Sequence, residues 1–318
     1  MVHSMDETAE RPAGTETLAG LIADRAARAG EDPALGPLSW RALAEAIAQH
    51  DPQPPVMAIE PDEMAVTVPA VLAGLAGAAV LVGKPQPTRR AHPGEIILPV
   101  RRDGREEELV RFSEASLVRM GQALAERYGF TAGDRLWTDG SLSDIGTWLV
   151  LAAAFSAGSA VVFSPENATI AWQLRGGAPV SGPALRLVHL RAAREDLAAL
   201  QKARPGLTVV NGLALPEAGG LPLCSDPRDP AASVAATVGR PLPGMEVMIV
   251  DPRTGMDMLL YQTGEIWLRG PGIMAGYANG IAPFEPRRYL RTGLLGYLDS
   301  EGRLVLPRTE EEALHITD

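Results

Sequence analysis

Apolar positions in the first part of the chain recur with a helical period in some stretches and as short continuous runs in others. Leu18, Leu21 and Ile22 share one face of the first amphipathic helix, and Ser39 can cap the second. The pattern predicts, in order, helices over 17–28 and 40–49, a strand over 56–60, a helix over 64–77 and a strand over 78–82. This alternation favours a buried parallel sheet.

The same alternation continues to about residue 211. Ser113 can cap a helix, and Gly158 marks a change from helix to strand. The predicted elements are a strand over 95–100, a charged loop over 101–111, helices over 113–128, 147–157 and 192–203, and strands after "TAGDRLW" and over 160–164, 185–189 and 207–211. Two uncharged stretches, 64–82 and 147–163, have nearly the length of a membrane span. A buried helix leading into a buried strand explains each of them better.

Beyond residue 222 the pattern changes to short strands separated by Gly-Pro turns, as in "VGRPLPGMEVMIVD" and "GEIWLRGPGIMAGY". We therefore predict a shortened α/β core over 17–221 and a β-rich subdomain, like a small β-barrel, over 222–306. The polar residues 1–16 are expected to form a flexible tail.

Composition and charge narrow the possible partners. The chain has 318 residues and a net charge of −10, and no long basic run is present, so nucleic acid is not an expected partner. The single cysteine, Cys224, excludes an intrachain disulfide and a cysteine-based metal cluster. The five histidines have no ligand spacing, so no metal site is predicted. Without the apolar core of a secretion signal, the chain is expected in the cytoplasm and not at a membrane.

Three segments carry a family resemblance: "VGRPLPGMEVMIVD" (238–251), "TGEIWLRGPGIMAGYANG" (263–280) and "YLRTGLLGYLDSEGRL" (289–304). In this order they resemble motifs of the adenylate-forming superfamily, which includes AMP-forming acyl-CoA synthetases and nonribosomal peptide synthetase adenylation domains. The resemblance covers nearly the whole chain from about Thr17. It implies the superfamily's large-domain fold, with parallel α/β sheets and a barrel-like β subdomain. It also implies that residues 307–318 are a hinge remnant and that the mobile lid domain, with its catalytic lysine, is absent.

The resemblance implies ATP and Mg²⁺ as cofactors, but several matching positions lack the groups that would bind them. The Tyr that stacks on adenine corresponds to Leu213, the phosphate-binding Thr to Pro216, and the ribose-binding Asp to Leu294. The positions that still match the nucleotide site are Asn211, Gly212, Glu217 and Arg308. We interpret them as a vestigial nucleotide site, so that no cofactor and no catalytic residue is predicted.

The stretch that matches the phosphate loop, "PVRRDGREEELV" (99–110), is also altered. It places Glu108 where the resemblance expects a lysine, with Glu106 and Glu107 beside it, and carboxylates there would repel a triphosphate. Arg101, Arg102 and Arg105 could still bind phosphate, although a solvated charged loop also explains this run.

The acyl pocket implied by the resemblance lies between "DIGTW" and "NGLALPE". Its predicted lining residues are Asp144, Trp148, Leu213 and Ala214. Helix capping explains Asp144 equally well, and an ordinary core position explains Trp148.

Three functions remain open. The first is a pseudoenzyme that binds an acyl ligand, a carrier protein or a partner enzyme. The second is an active AMP-forming acid ligase with a rearranged site or a separate lid subunit. The third is an ATP-independent enzyme that reuses the acyl pocket, since the fold does not fix the function.

Overall fold

The computed structural model describes residues 17–50, 55–100, 107–175, 181–190, 194–281, 284 and 289–307. The helices are α1 (Leu18–Ala29), α2 (Trp40–Ala48), α3 (Met64–Leu75), α4 (Glu114–Tyr128), α5 (Ile145–Ala157), α6 (Arg194–Ala203) and α7 (Ala231–Ala236). The strands of the first part are β1 (Pro33–Leu35), β2 (Leu38–Ser39), β3 (Val56–Ile59), β4 (Ala79–Val82), β5 (Glu95–Val100), β6 (Glu108–Ser113), β7 (Arg135–Thr138), β8 (Ala160–Val161), β9 (Ile170–Gln173), β10 (Leu187–Leu190) and β11 (Thr208–Val210). The later strands are β12 (Gly212–Leu215), β13 (Gly220–Cys224), β14 (Arg240–Pro241), β15 (Glu246–Val250), β16 (Gly264–Arg269), β17 (Gly276–Tyr277), β18 (Leu290–Leu298) and β19 (Leu304–Val305).

Two large sheets form the α/β part of the fold. One has the order β11-β10-β9-β7-β8-β1-β2, and it is parallel from β11 to β1. The other has the order β17-β6-β5-β4-β3, in which β3, β4 and β5 are parallel and the pairs at β6 are antiparallel. Helix α5 is buried over Ile145–Phe155, as expected for an element enclosed by other layers.

The closest helix contact is between α4 and α5. A Cβ atom added to Gly121 would lie 2.6 Å from the Cβ of Ala152, so the absence of a side chain at this position allows the two helices to approach. Trp148 is fully buried on α5 beneath this contact. Among the helices that the structure describes, none combines the length and apolar character required to cross a membrane.

The later strands build two small antiparallel sheets, with the orders β12-β13-β14 and β15-β16-β18-β19. The sequence predicted a small barrel-like β subdomain, and a partial half-barrel sheet is present, so the predicted fold class is confirmed. Strand β13 runs across the boundary predicted at residue 221, and the domain limits remain predictions.

Most predicted elements occur within a few residues of their expected limits. Thr17, Ser39 and Ser113 accept the hydrogen bonds that cap α1, α2 and α4. The loop predicted over 101–111 is wrong for its last four residues, because Glu108 begins β6 and pairs with Val100. Residues 101–106 lie outside the described part. Strand β9, near the middle of the larger sheet, was not predicted from the sequence.

Candidate functional site

Asn211, one of the predicted nucleotide-site residues, lies between β11 and β12 and is held by contacts within the fold. Its side-chain Nδ2 donates to the carbonyl oxygens of Val234, at 2.8 Å, and Thr237, at 3.0 Å. Its backbone N–H donates to Ser225 Oγ at 2.9 Å. These bonds attach α7 to the β12–β13 sheet and use both amide protons of the side chain.

Gly212 and Leu213 begin β12, and the side chain of Leu213 faces the protein interior. A Cβ atom at Gly212 would lie 2.4 Å from the carbonyl oxygen of Leu223 on β13, so this glycine is required by the close approach of the strands. Leu213 is buried in the main core, and Ala214 is half-buried. The structure therefore gives Leu213 a packing role. Its side chain is aliphatic and buried, so adenine has no aromatic ring to stack on at this position.

Glu217 lies in a single 3₁₀ turn and is almost completely buried. Its Oε1 accepts a hydrogen bond from the Tyr277 hydroxyl at 3.3 Å, and its carbonyl oxygen accepts one from Met274 N–H at 2.9 Å. Both partners belong to the "GPGIMAGY" segment, which is thereby joined to "NGLALPE". Mg²⁺ requires several oxygen ligands, usually including water. No group of three His, Cys, Asp or Glu side chains suited to a metal ion occurs in the part of the chain that the structure describes.

Leu294 follows Gly293, whose φ is 69°, at an irregularity within β18 where the pairing register with β16 shifts, and this local bend is the Gly293 turn. The residue is 38% exposed, so the rest of the fold covers it only in part. The turn is held by internal bonds: Thr292 Oγ1 donates to the Ile266 carbonyl oxygen at 2.7 Å and accepts from Leu294 N–H at 3.0 Å. The position at which the resemblance places a ribose carboxylate thus presents an aliphatic side chain to solvent.

The carboxylate nearest to this turn, that of Glu265, is already engaged. It accepts from Gly293 N–H at 3.2 Å and from Arg291 Nη2 at 2.7 Å. Burial acts to raise the pKa of Glu265, but the bonds from Arg291 and the turn outweigh it and lower that pKa overall. Glu265 therefore stabilises the turn and does not replace the missing aspartate.

Asp144 and Trp148, predicted to line an acyl pocket, stand at the start of α5. Asp144 is exposed and caps the helix by accepting from Gly146 N–H at 2.7 Å. The indole Nε1 of Trp148 donates to the Leu142 carbonyl oxygen at 2.7 Å inside the core. The first turn of α5 packs against Gly220, where an added Cβ would lie 2.9 Å from Gly146 Cα. The structure thus packs "DIGTW" against the start of β13, three residues after "NGLALPE", and two of its cavities are lined by residues other than the predicted four.

The hairpin that replaces the phosphate loop contains an ion pair that the sequence did not indicate. Arg111, on β6, donates through Nη1 to both carboxylate oxygens of Glu95, at 2.9 and 3.1 Å, and both side chains are buried. At the loop, Glu107 Oε1 accepts from Gln86 Nε2 at 2.8 Å. Arg101, Arg102, Arg105 and Glu106, like Arg308, lie outside the described residues.

The described residues therefore do not fit an ATP·Mg²⁺ group. Leu213 lies inside the core, Glu217 is enclosed against Tyr277, and Leu294 has no acceptor for a ribose hydroxyl. Leu213 and Leu294 lack the groups that would contact the nucleotide, whereas Glu217 keeps its carboxylate but holds it against Tyr277.

Comparison with known proteins agrees with the motifs and the fold. The model of the AMP-binding enzyme family matches residues 179–278. The probable CoA ligase CCL5 of Humulus lupulus is 32% identical over 143 residues, which is 43% of this chain and 24% of the relative. The 4-coumarate–CoA ligase-like 8 of Arabidopsis thaliana is 36% identical over 132 residues, or 41% of this chain and 22% of the relative. The chain thus matches about a quarter of the length of these curated relatives.

Solved structures extend the likeness to nearly the whole chain. VinN superposes with a TM-score of 0.77 at 16% identity, covering 92% of this chain and 98% of VinN. The O-succinylbenzoate CoA synthetase of Bacillus subtilis, solved with AMP, gives 0.74 at 19% identity, covering 90% and 97%. At these identities the superpositions show the fold alone, and the sequence matches show similarity over less than half of the chain. Over part of its length the chain is thus similar to CoA ligases and to the AMP-binding enzyme family, and it has the large-domain fold of adenylate-forming enzymes.

Proposed function

We propose that this chain is a ligase-like protein that does not activate carboxylic acids with ATP, and that it binds an acyl ligand, a carrier protein or a partner enzyme. The observation that carries the proposal is the turn at Gly293. It keeps its hydrogen bonds, presents Leu294 to solvent and commits the neighbouring carboxylate of Glu265 to Arg291.

The expected loss of affinity is large. A hydrogen bond to a charged group contributes about 1.5–3 kcal/mol, so two lost ribose bonds correspond to ~3–6 kcal/mol. Each 1.4 kcal/mol is about tenfold in the dissociation constant, which gives a weakening of about two to four powers of ten. Leu213 and Pro216 remove the adenine and phosphate contacts in addition.

The enclosure of Glu217 supports the same conclusion. This carboxylate would have to leave the Tyr277 hydroxyl and its buried position before it could coordinate Mg²⁺. Opening that contact would separate the "GPGIMAGY" and "NGLALPE" segments, which the Met274–Glu217 backbone bond also joins. The cost of the rearrangement would be subtracted from any metal affinity.

One observation favours an active ligase instead. The matching relatives are named as CoA ligases, and Asn211, Gly212 and Glu217 stand where the motif requires them. In that case the site would be rearranged or completed by a separate lid subunit. An ATP-independent enzyme that uses the acyl pocket is a third possibility, which binding experiments can separate from the other two.

Calorimetric titration with ATP and Mg²⁺ tests the proposal directly. We expect no binding in the micromolar range, and no pyrophosphate exchange with a panel of carboxylic acids. The control is an active CoA ligase, measured in the same buffer with the same acids. Exchange by the wild-type chain, alone or with a separately expressed lid domain from an active relative, would establish the ligase. A thermal shift with acyl-CoA and none with ATP or acyl-AMP analogues would support acyl binding, and turnover of that acyl-CoA without ATP would indicate the ATP-independent enzyme.

A further inference from the structure

A second candidate site lies between the start of α4 and the loop that follows β16. A cavity of ≈ 440 Å³ separates these elements, and its lining includes Ser113, Ser116 and Arg119 from one side and Arg269, Ile273 and Phe284 from the other. It shares no residue with the vestigial nucleotide site or the predicted acyl pocket. The loop backbone approaches α4 closely, since a Cβ atom at Gly272 would lie 2.9 Å from Met120 Cε.

Two guanidinium groups line the cavity, and they differ in their partners. Arg269 is fixed in place: its Nη2 donates to Glu246 Oε2 at 2.5 Å, and its guanidinium lies 4.6 Å from the centre of the Tyr289 ring. Arg119 is exposed and makes no ion pair or hydrogen bond with any residue in the described ranges. One positive charge at the cavity is therefore uncompensated, in a chain whose net charge is −10.

The hydroxyl pair at the start of α4 supplies a further donor. Ser113 Oγ and Ser116 Oγ are 2.8 Å apart, and Ser113 Oγ also accepts from Ser116 N–H at 3.1 Å. One hydroxyl proton lies between the two oxygens, so the other hydroxyl proton remains available to an acceptor in the cavity. The positive end of the α4 dipole adds a favourable field for an anion at the same place.

Among the residues that the structure describes, the nearby acidic groups are engaged elsewhere. Glu246 is paired with Arg269, as described. Glu114 is buried, and its Oε1 accepts from Leu18 N–H at 2.7 Å on the side of α4 that contacts α1. The opposite wall of the cavity is apolar, with Ile273, Met274 and Phe284.

We propose that this cavity binds a phosphomonoester joined to an apolar group. Arginine side chains and a serine hydroxyl proton provide only donors here, and a phosphate group has three terminal oxygens to accept from them. A carboxylate, with two oxygens, would satisfy fewer of these donors. Ile273 and Phe284 would contact the apolar part. This inference does not depend on the state of the nucleotide site, because the two sites share no residue.

Calorimetric titration of the full chain with phenyl phosphate, inorganic phosphate and benzoate tests the proposal. We expect phenyl phosphate to bind most tightly of the three. Arg119→Gln should weaken it by about tenfold, which corresponds to ~1.4 kcal/mol. The matched control is Arg28→Gln, which removes an exposed arginine from α1 and should leave the affinity unchanged.

Each other result would overturn a stated part of the proposal. If Arg119→Gln and Arg28→Gln weaken the affinity for phenyl phosphate equally, that affinity depends only on the overall charge of the chain. If inorganic phosphate binds as tightly as phenyl phosphate, the apolar residues do not contribute to binding. If benzoate binds as tightly as phenyl phosphate, the site does not prefer phosphate to carboxylate. Co-sedimentation with phosphatidylcholine vesicles that contain phosphatidic acid, without binding of phenyl phosphate, would assign the phosphate to a lipid headgroup. No binding of any probe would reject the site.

Discussion

The buried ion pair between Arg111 and Glu95 provides the sharpest test of how this fold is held together. Both side chains are less than a tenth exposed, and the pair joins β5 to β6. The Glu95 carboxylate also accepts from His92 N–H at 2.9 Å, and the backbone of Arg111 accepts from Ala275 N–H at 2.7 Å. The pair therefore connects the phosphate-loop hairpin to the end of the "GPGIMAGY" segment.

Removing one partner should cost much more than removing both. Arg111→Met leaves a buried carboxylate with only the His92 N–H as a donor, and breaking a buried pair in this way costs about 3–5 kcal/mol. Glu95→Leu leaves a buried guanidinium and should cost a similar amount. The double variant buries no unpaired charge, so we expect it to lose ~2 kcal/mol or less, with a strongly favourable coupling energy.

Urea unfolding of the wild type, both single variants and the double variant measures this coupling. The midpoints should shift at a constant slope, because none of the changes alters the surface exposed on unfolding. Arg41→Met is the matched control: its ion pair with Glu31 is exposed, and such pairs contribute about 0–1 kcal/mol. If the two single losses simply add in the double variant, or if Arg111→Met costs no more than Arg41→Met, the reasoning about this pair is wrong.

Three further predictions follow from single positions. Leu294→Asp should change the unfolding free energy by less than about 0.5 kcal/mol, because position 294 is exposed. The variant should also show no pyrophosphate exchange. Exchange by this single variant would refute the proposal that several nucleotide-binding groups are missing. Gly121→Ala should destabilise the chain by ~1–3 kcal/mol in urea unfolding, because the new methyl group would lie 2.6 Å from the Cβ of Ala152. This loss should exceed the gain in helix propensity of about 1 kcal/mol. A variant at least as stable as the wild type would contradict this packing. Burial acts to raise the pKa of Asp134, but hydrogen bonds, above all the one from Arg186, lower that pKa from 3.8 to about 2. The stability that Asp134 contributes is therefore present above pH 3.8, the unfolded-state pKa, and is lost as the pH falls toward 2. Asp134→Asn should flatten the unfolding free energy in that pH window, and an unchanged slope would exclude this contribution.

The helices could be predicted because their signals are local. Thr17, Ser39 and Ser113 each precede an apolar periodic stretch, and the structure shows all three as caps. Gly158 ends α5 in the left-handed conformation that glycine adopts without steric cost. Strand β9 was missed because its four residues follow a polar run, and only the pairing of Ile170 with distant strands identifies it.

The candidate site was less accessible to sequence reasoning. From the motif register, the sequence indicated which positions differ from the family pattern at nucleotide-binding groups. It did not show where the remaining polar groups are directed. Arg111 pairs with a residue 16 positions away, and the Tyr277 hydroxyl contacts a carboxylate 60 positions away. Such partners are set by the sheet order and by loop paths, for which a single sequence contains no local signal.

The turn at Gly293 explains how a motif can persist without its ligand. Two hydrogen bonds within the fold hold its geometry. Thr292 Oγ1 donates to the Ile266 carbonyl oxygen, and Gly293 N–H donates to the Glu265 carboxylate. A ribose would add bonds to this turn, but the turn does not need them to form. Replacing the ligand-binding side chain by Leu294 therefore leaves the surrounding residues under the same packing requirements. The "RTG" residues take part in the antiparallel pairing of β16 and β18, so their match to the family indicates a shared fold. Binding of a ligand depends instead on the side chain at position 294.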